Sequence, residues 1–319
     1  MQTQETELFR TSFREMVREL GMLSRRTIGA DLSPLQSHIL IELNNSRHSL
    51  GVTELAKILC VEKSSISRTL KNLEEDELLL RKTKPSDARS VTFTLTEKGE
   101  SVLSEINKYA NQFTSEALTL SSKSELQQLS LTIKKFIKTL KNAREQREMG
   151  LNIRPIELKD NDAIAAVIRK SFIDNKIDHL EGVSLNDPCL NYLSEVYTAN
   201  GSGYWVIEID GIVKGGIGIA PLLGAGKEYC ELQKLYIDSS LAGLGIGRRL
   251  INLAIDKATE YGYQYCYLET LEELGAALGL YESFDFKLLD KRIGDTGHNS
   301  CGIYMLKELN LKQLSVTSI

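Results

Sequence analysis

The sequence predicts two domains: a mostly α-helical one with a small hairpin over residues 1–148, and an α/β one over residues 149–319. Three observations predict this. Apolar residues recur at helical spacing through most of the first half. Beyond about residue 150, strand-like runs alternate with helical segments. The second half also carries Gly243-Leu244-Gly245-Ile246-Gly247-Arg248-Arg249, a Gly-rich turn that opens an amphipathic helix. A chain of 319 residues is long enough for two full cores.

In the first half, Phe9, Phe13, Met16, Val17, Leu20 and Leu23 predict an opening helix. Ser33-Pro34-Leu35-Gln36 predicts a second helix start: a Ser cap, Pro at the first helical position, and Gln closing a capping box. Thr53 is expected to cap a short helix that ends at Leu59. A turn at 60–62 leads to a helix over 63–76. Strands are expected at 78–81 and 90–95 around a basic tip at 82–89. Long helices follow over 96–118 and 122–147, the second opened by a capping box from Ser122 to Glu125. The polar stretch 142–150 reads as a helix end running into a linker.

In the second half, strands are expected at 152–158, 204–208, 212–220, 229–237, 263–269, 285–289 and 302–306. Helices are expected at 161–172, 246–261 and 272–282. Residues 174–200 show no clear period.

Composition narrows the function classes. The five cysteines lack C-x-x-C spacing and the four histidines are isolated, so neither a disulfide framework nor a metal site is predicted. No apolar run reaches the ~18–20 residues of a membrane span, and the N-terminus does not read as a secretory leader. A reduced, cytoplasmic protein is expected. The net charge of −4 divides into roughly +3 for residues 1–149 and roughly −7 for the rest.

Helix, turn, helix and a basic-tipped hairpin form the order of a winged helix-turn-helix. In the second of those helices Ile66, Leu70 and Leu73 share one face. Ser64, Ser65, Ser67, Arg68 and Lys71 are left to face outward. Hydroxyls and a long guanidinium there suit base edges and phosphates. The plain alternative is a solvated polar face. The segment resembles the MarR family of transcription regulators over about residues 5–145. Thr53-Glu54-Leu55-Ala56, Lys63-Ser64-Ser65-Ile66-Ser67-Arg68, Asp87-Ala88-Arg89 and Leu95-Thr96-Glu97-Lys98-Gly99 carry the likeness. The resemblance implies double-stranded DNA as a partner and a homodimer built from the first and last helices. It also implies a wing in which Asp87 orients Arg89 toward the minor groove, with Lys84 at the tip. Two glycines common in that family are replaced here by Cys60 and Glu77. If their backbones need positive φ, each costs about 1 kcal/mol.

Glycines and a helix N-terminus together present backbone N–H groups to an anion. The Gly-rich turn lacks the Gly-Lys-Ser/Thr of a P-loop. Its context resembles the GNAT superfamily of N-acetyltransferases over about residues 151–310. That family carries its loop after the fourth strand, as here. The later text Leu280-Tyr281-Glu282-Ser283-Phe284-Asp285-Phe286 is also similar, with Asp285 in place of Gly. Ala242 and Leu274 depart from the family's Arg/Gln and Asn. The resemblance implies a mixed sheet flanked by helices. It implies acetyl-CoA as co-substrate, its pyrophosphate held by Gly243, Leu244, Gly245, Ile246, Gly247 and Arg248. The backbone of Leu235, Tyr236 and Ile237 would hold the pantetheine. Tyr281 matches the family's general acid. Glu231, four residues before Leu235, shares its face by period-2 geometry and matches a common general base. Cys230 reads as packing, since no His is placed to activate it.

Three functions stay open: acetylation of a small amine or amino-acid-like acceptor by a DNA-binding regulator, acyl-CoA sensing without turnover, and acetylation of a protein lysine. The acidic second half favours a cationic acceptor.

Overall fold

The computed structural model describes residues 2–23, 27, 31–46, 48–84, 87–119, 121–180, 183–297 and 301–309, with backbone alone at 2, 3, 84, 87–90, 186 and 276. The chain forms two compact units, Met1–Ser130 and Leu131–Ile319.

The first unit contains α1 (Gln2–Glu19), α2 (Pro34–Asn45), α3 (Val52–Leu59), α4 (Lys63–Glu75), β1 (Leu79–Lys84), β2 (Asp87–Leu95), α5 (Glu97–Leu118) and the start of α6 (Lys123–Glu148). Ile39, Leu40, Leu55, Ile66, Leu70, Leu73 and Phe93 from α2, α3, α4 and β2 form its core. The capping box at Ser33 is present: Gln36 N–H donates to Ser33 Oγ at 3.3 Å and Ser33 N–H to Gln36 Oε1 at 2.9 Å. Thr53 is not the cap of α3. Gly51 is, and its N–H donates to Glu54 Oε2 at 3.0 Å. A glutamate three residues into the helix satisfies an amide that the expected Thr cap would have left outside.

The hairpin is longer than expected, with Lys84 paired to Asp87 and a second edge at Leu50, whose carbonyl accepts from Phe93 N–H at 3.1 Å. Cys60 and Glu77 are left-handed, at φ 56° and 61°, as the two replaced glycines foretold. The Leu-Thr-x-x-Gly text also finds its reason. Thr96 caps α5 by accepting Gly99 N–H at 2.9 Å, and its hydroxyl donates to Glu77 O at 2.8 Å. A Cβ on Gly99 would lie 2.2 Å from Leu78 O, so only glycine lets the helix approach that strand entry.

The second unit begins with the last turns of α6 and continues through β3 (Asn152–Pro155), α7 (Asn161–Asp174), α8 (Leu193–Val196), β4 (Gly203–Ile209), β5 (Ile212–Pro221), β6 (Tyr229–Ile237), α9 (Ile246–Glu260), β7 (Tyr265–Thr270), α10 (Gly275–Glu282), β8 (Lys287–Leu289) and β9 (Ile303–Glu308). The expected strands and helices are found, several shorter or shifted by a few residues. The stretch without a period, 174–200, holds only short helical turns and the four residues of α8 among its described residues. The sheet order is β3-β4-β5-β6-β7-β9-β8. The β6–β7 pair is parallel and the others antiparallel, which makes the sheet mixed. One face packs on α9 through Leu250, Ile251 and Ala254. The other packs on α7 through Ile164, Ile168 and Phe172.

Two irregularities shape the centre of this sheet. The β6–β7 register runs only from Tyr229↔Tyr265 to Glu231↔Tyr267. Beyond Glu231 the strands part, and β7 keeps its pairing to β9 on the other edge. In the same stretch β6 bulges. Gly218 faces Gln233 and Gly216 faces Tyr236, so three steps on β6 oppose two on β5, and Lys234 takes φ 50°.

Candidate active site and nucleic-acid interface

The Gly-rich turn forms the N-terminus of α9. Gly243 and Gly245 have φ of 77° and 76°, and Gly245 is the N-cap. The first intrahelical bond is Arg249 N–H to Gly245 O, so the amides of Ile246, Gly247 and Arg248 have no helical partner. With the dipole of a 15-residue helix behind them they could hold an anion. A cavity of about 740 Å³ lies over them and reaches Leu235, Tyr236 and Ile237 on the freed part of β6. All the residues predicted to hold a cofactor line it except Leu244. That residue turns its carbonyl to Gln146 Nε2, at 2.8 Å, and packs its side chain on the α9-side core. Arg248 stands at the wall, its guanidinium 4.7 Å from the centre of the Phe284 ring and 2.6 Å from Ser283 Oγ. Arg249 turns away to Gln146 Oε1, at 3.1 Å.

Glu231 is buried and accepts from Gln233 Nε2 at 2.6 Å; Gln233 Oε1 in turn accepts from Tyr197 OH at 2.7 Å. The period-2 argument for its face needs correction. Because of the bulge at Lys234, Leu235 packs on the α9 side of the sheet with Leu232. Tyr236 takes the α7 side, 5.6 Å from Phe172 between ring centres. Glu231 still meets Leu235, Tyr236 and Tyr281, because the parted strands bring all four to one small cavity of about 60 Å³. Tyr281 is buried edge-on against Phe286, and burial pushes its phenol well above the usual range.

Sequence reasoning missed Gln233, Tyr197 as its partner, and the buried Lys234–Asp187 ion pair beside them. Polar residues inside the strand run Glu-Leu-Gln-Lys were the available signal. Cys230 is buried beside Cys266. A hydrogen bond with the free Cys266 thiol, then burial, push its thiol up, as befits packing. Ala242 ends a 3-10 turn with its N–H on Ser239 O at 3.1 Å. Among the described residues no group of three or more His, Cys, Asp or Glu is placed to hold a metal ion.

In the first unit, Ile66, Leu70 and Leu73 are buried and turn α4 as expected. Ser64, Ser67, Arg68 and Lys71 are exposed, while Ser65 is half-buried and its carbonyl accepts from Thr69 Oγ1. Lys71 is 3.5 Å from Glu75 in an exposed pair that water screens. The side chains of Lys84, Asp87 and Arg89 lie outside the described residues. No described helix is long and apolar enough to cross a membrane.

Comparison with known proteins agrees with both halves. The MarR family matches residues 32–91, and the acetyltransferase (GNAT) family matches residues 178–286. The uncharacterized N-acetyltransferase YjgM of Escherichia coli (strain K12) is 42% identical over 157 residues, covering 49% of this chain and 94% of that protein. A GNAT-family acetyltransferase structure from Staphylococcus aureus Mu50 covers 50% of this chain and 99% of its own, at 18% identity and TM-score 0.46. A MarR family transcription regulator structure covers 44% and 96%, at 24% identity and TM-score 0.37. The mixed sheet parted beside a glycine-capped helix agrees with the acetyltransferase match, and the winged helical unit with the MarR match. The chain belongs to the GNAT acetyltransferase family, with a MarR-family segment in its first half.

Proposed function

We propose that this chain is an acetyl-CoA-dependent N-acetyltransferase acting on a small amine or amino-acid-like acceptor, joined to a winged-helix unit that binds duplex DNA as a homodimer. One observation carries the enzymatic part. The parting of β6 and β7 links the anion site at α9 to the buried Glu231. The residues present fit coenzyme A: three helix-terminal amides for the pyrophosphate and a strand edge without a ladder partner for the pantetheine amides. When bound, acetyl-CoA supplies the acyl thioester.

The residues then divide the work. Glu231 takes a proton from the incoming ammonium, leaving a neutral nitrogen lone pair to attack the thioester carbonyl. Backbone N–H groups around Leu235–Ile237 receive the developing oxyanion. Tyr281, held neutral by burial, gives its proton to the departing sulfur. The new C–N bond replaces the C–S bond; the ammonium's first proton leaves through Glu231 to solvent, and the second, shed as the amide forms, balances the one given by Tyr281, whose phenol is restored from solvent. The carboxylate of Glu231 in this cavity supports a cationic acceptor; Glu269, on the same wall, is matched by Arg292 at 3.0 Å.

For the first unit, the polar face of α4 supports a DNA contact. The exposed apolar residues Leu8, Phe9, Phe13 and Met16 on α1, with Tyr109 and Phe113 on α5, support a dimer.

The test is turnover of acetyl-CoA over a panel of amines with wild type, Glu231→Gln and Tyr281→Phe. Each variant is expected to lose about 10²–10⁴-fold in kcat while still binding acetyl-CoA. Wild-type rate in Glu231→Gln excludes that carboxylate as the base. Binding without turnover, coupled to altered DNA affinity, replaces catalysis with sensing; turnover on proteins alone moves the acceptor to lysine side chains.

A further inference from the structure

We propose that Lys135 and Lys138, on the last turns of α6, bind the 3′-phosphate of coenzyme A. The inference rests on the acetyl-CoA reading and extends it to a helix that precedes the acetyltransferase fold in the chain.

The cavity over the α9 N-terminus does not end at the Gly-rich turn. Its far wall is α6, through Lys135, Lys138, Thr139 and Asn142. With Gln146 these residues are spaced i, i+3, i+4, i+7 and i+11, which is one stripe of a helix. The lower end of the stripe is fixed to the turn. Asn142 Nδ2 donates to Gly243 O at 3.3 Å, and the buried Gln146 donates to Leu244 O at 2.8 Å while accepting from Arg249. This anchoring holds the polar end of α6, which runs to Glu148 as the expected helix end did to about 147.

From Asn142, Lys138 lies about 6 Å up the helix axis and Lys135 about 10 Å. The pyrophosphate is met by the α9 amides. The two ammonium groups therefore stand beyond it, at the end of the cavity left for the nucleoside. A phosphomonoester there is close to doubly charged at neutral pH, and two lysines match it.

The local charge agrees. Residues 131–141, Leu-Thr-Ile-Lys-Lys-Phe-Ile-Lys-Thr-Leu-Lys, contain four lysines and no carboxylate. Neither Lys135 nor Lys138 has a carboxylate partner among the described residues. By contrast Lys170, near the same cavity, is held by Asp174 at 2.7 Å and Asp238 at 3.9 Å. Asp238 also accepts from Ser240 Oγ, which with the Ser240 amide holds its carboxyl low. That carboxylate is thus already matched, and Glu273 is the other acid on the wall.

The experiment is titration calorimetry of the full chain with acetyl-CoA and with 3′-dephospho-acetyl-CoA. Wild type, Lys135→Ala/Lys138→Ala and Lys134→Ala/Lys141→Ala are compared. Wild type is expected to favour acetyl-CoA by about tenfold or more, because each contact is charge-assisted. The Lys135/Lys138 variant should bind the dephospho ligand as wild type does and lose the preference. The Lys134/Lys141 variant removes equal charge from another face and should keep it. Equal affinity of wild type for both ligands overturns the inference and leaves the acetyl-CoA reading standing. Full preference in the Lys135/Lys138 variant, or equal loss in both variants, overturns it as well. Binding of neither ligand by wild type removes the acetyl-CoA reading and the inference with it.

Discussion

Replacing Gly245 by Ala should separate the phosphate role of the turn from its structural role. Gly245 has φ 76° and caps α9. An L-residue in that left-handed region costs about 1–2 kcal/mol. The added Cβ would lie 3.2 Å from Asn142 Nδ2, the mobile end of a side chain, so steric overlap adds little. The second unit should lose about 1–2 kcal/mol. Trp205 is the single tryptophan and is buried in the second unit's core, so its fluorescence reports that unit alone. With a urea m-value of about 2 kcal/mol/M, the Trp205 midpoint should fall by about 0.5–1 M. Acetyl-CoA affinity should fall as well. Any relaxation of the strained cap turns the amides of Ile246, Gly247 and Arg248 away from the anion, and about tenfold or more is expected by calorimetry. A lower midpoint with unchanged affinity would show that the phosphate binds elsewhere. An unchanged midpoint would refute the left-handed geometry itself.

Three further outcomes are expected. Asp285, at φ 63° where the resembling motif has Gly, should accept glycine with a gain of about 0.5–1 kcal/mol, the relief exceeding the entropy that glycine adds to the unfolded chain; a lower Trp205 midpoint contradicts this. Burial raises the phenols of Tyr204, Tyr236 and Tyr281, so above a pH of about 10 the unfolded chain sheds protons that the folded one keeps, and stability falls as pH rises. Tyrosinate absorbance should therefore lag in the folded protein and appear together with loss of the Trp205 signal; complete reversible ionisation near pH 10 without unfolding sinks the assignment. Arg68 is exposed on α4, and Arg68→Ala should weaken binding to a cognate duplex by about tenfold with little effect on random DNA; equal losses on both make it a phosphate contact only.

What could be read from the sequence was local chemistry. The capping boxes at Ser33 and Ser122 and the glycine turn each depend on residues within four positions of one another, and each is present. Departures from a pattern were as informative as matches. Cys60, Glu77 and Asp285 stand where similar families place glycine, and all three backbones are left-handed. The chain kept the conformation and gave up the residue that adopts it most easily.

What could not be read depended on partners far along the chain. Period-2 counting placed Glu231 and Leu235 on one face, and the bulge at Lys234 reversed the count. That bulge is set by pairing across to Gly216 and Gly218, about 16 residues earlier. The Gln233–Tyr197 bond spans 36 residues and the Gln146–Leu244 bond 98. The last of these matters most for function. Polar residues on the closing turns of a long helix look like a solvated face when only neighbours are counted. Hydrogen bonds to the carbonyls of a distant glycine turn make the same residues a wall of the cavity over that turn. A division of this chain at residue 148 follows its sequence text, yet α6 from Leu131 onward belongs physically with the acetyltransferase fold. A boundary drawn from motifs therefore separates Asn142 and Gln146 from the glycine turn to which they are hydrogen-bonded.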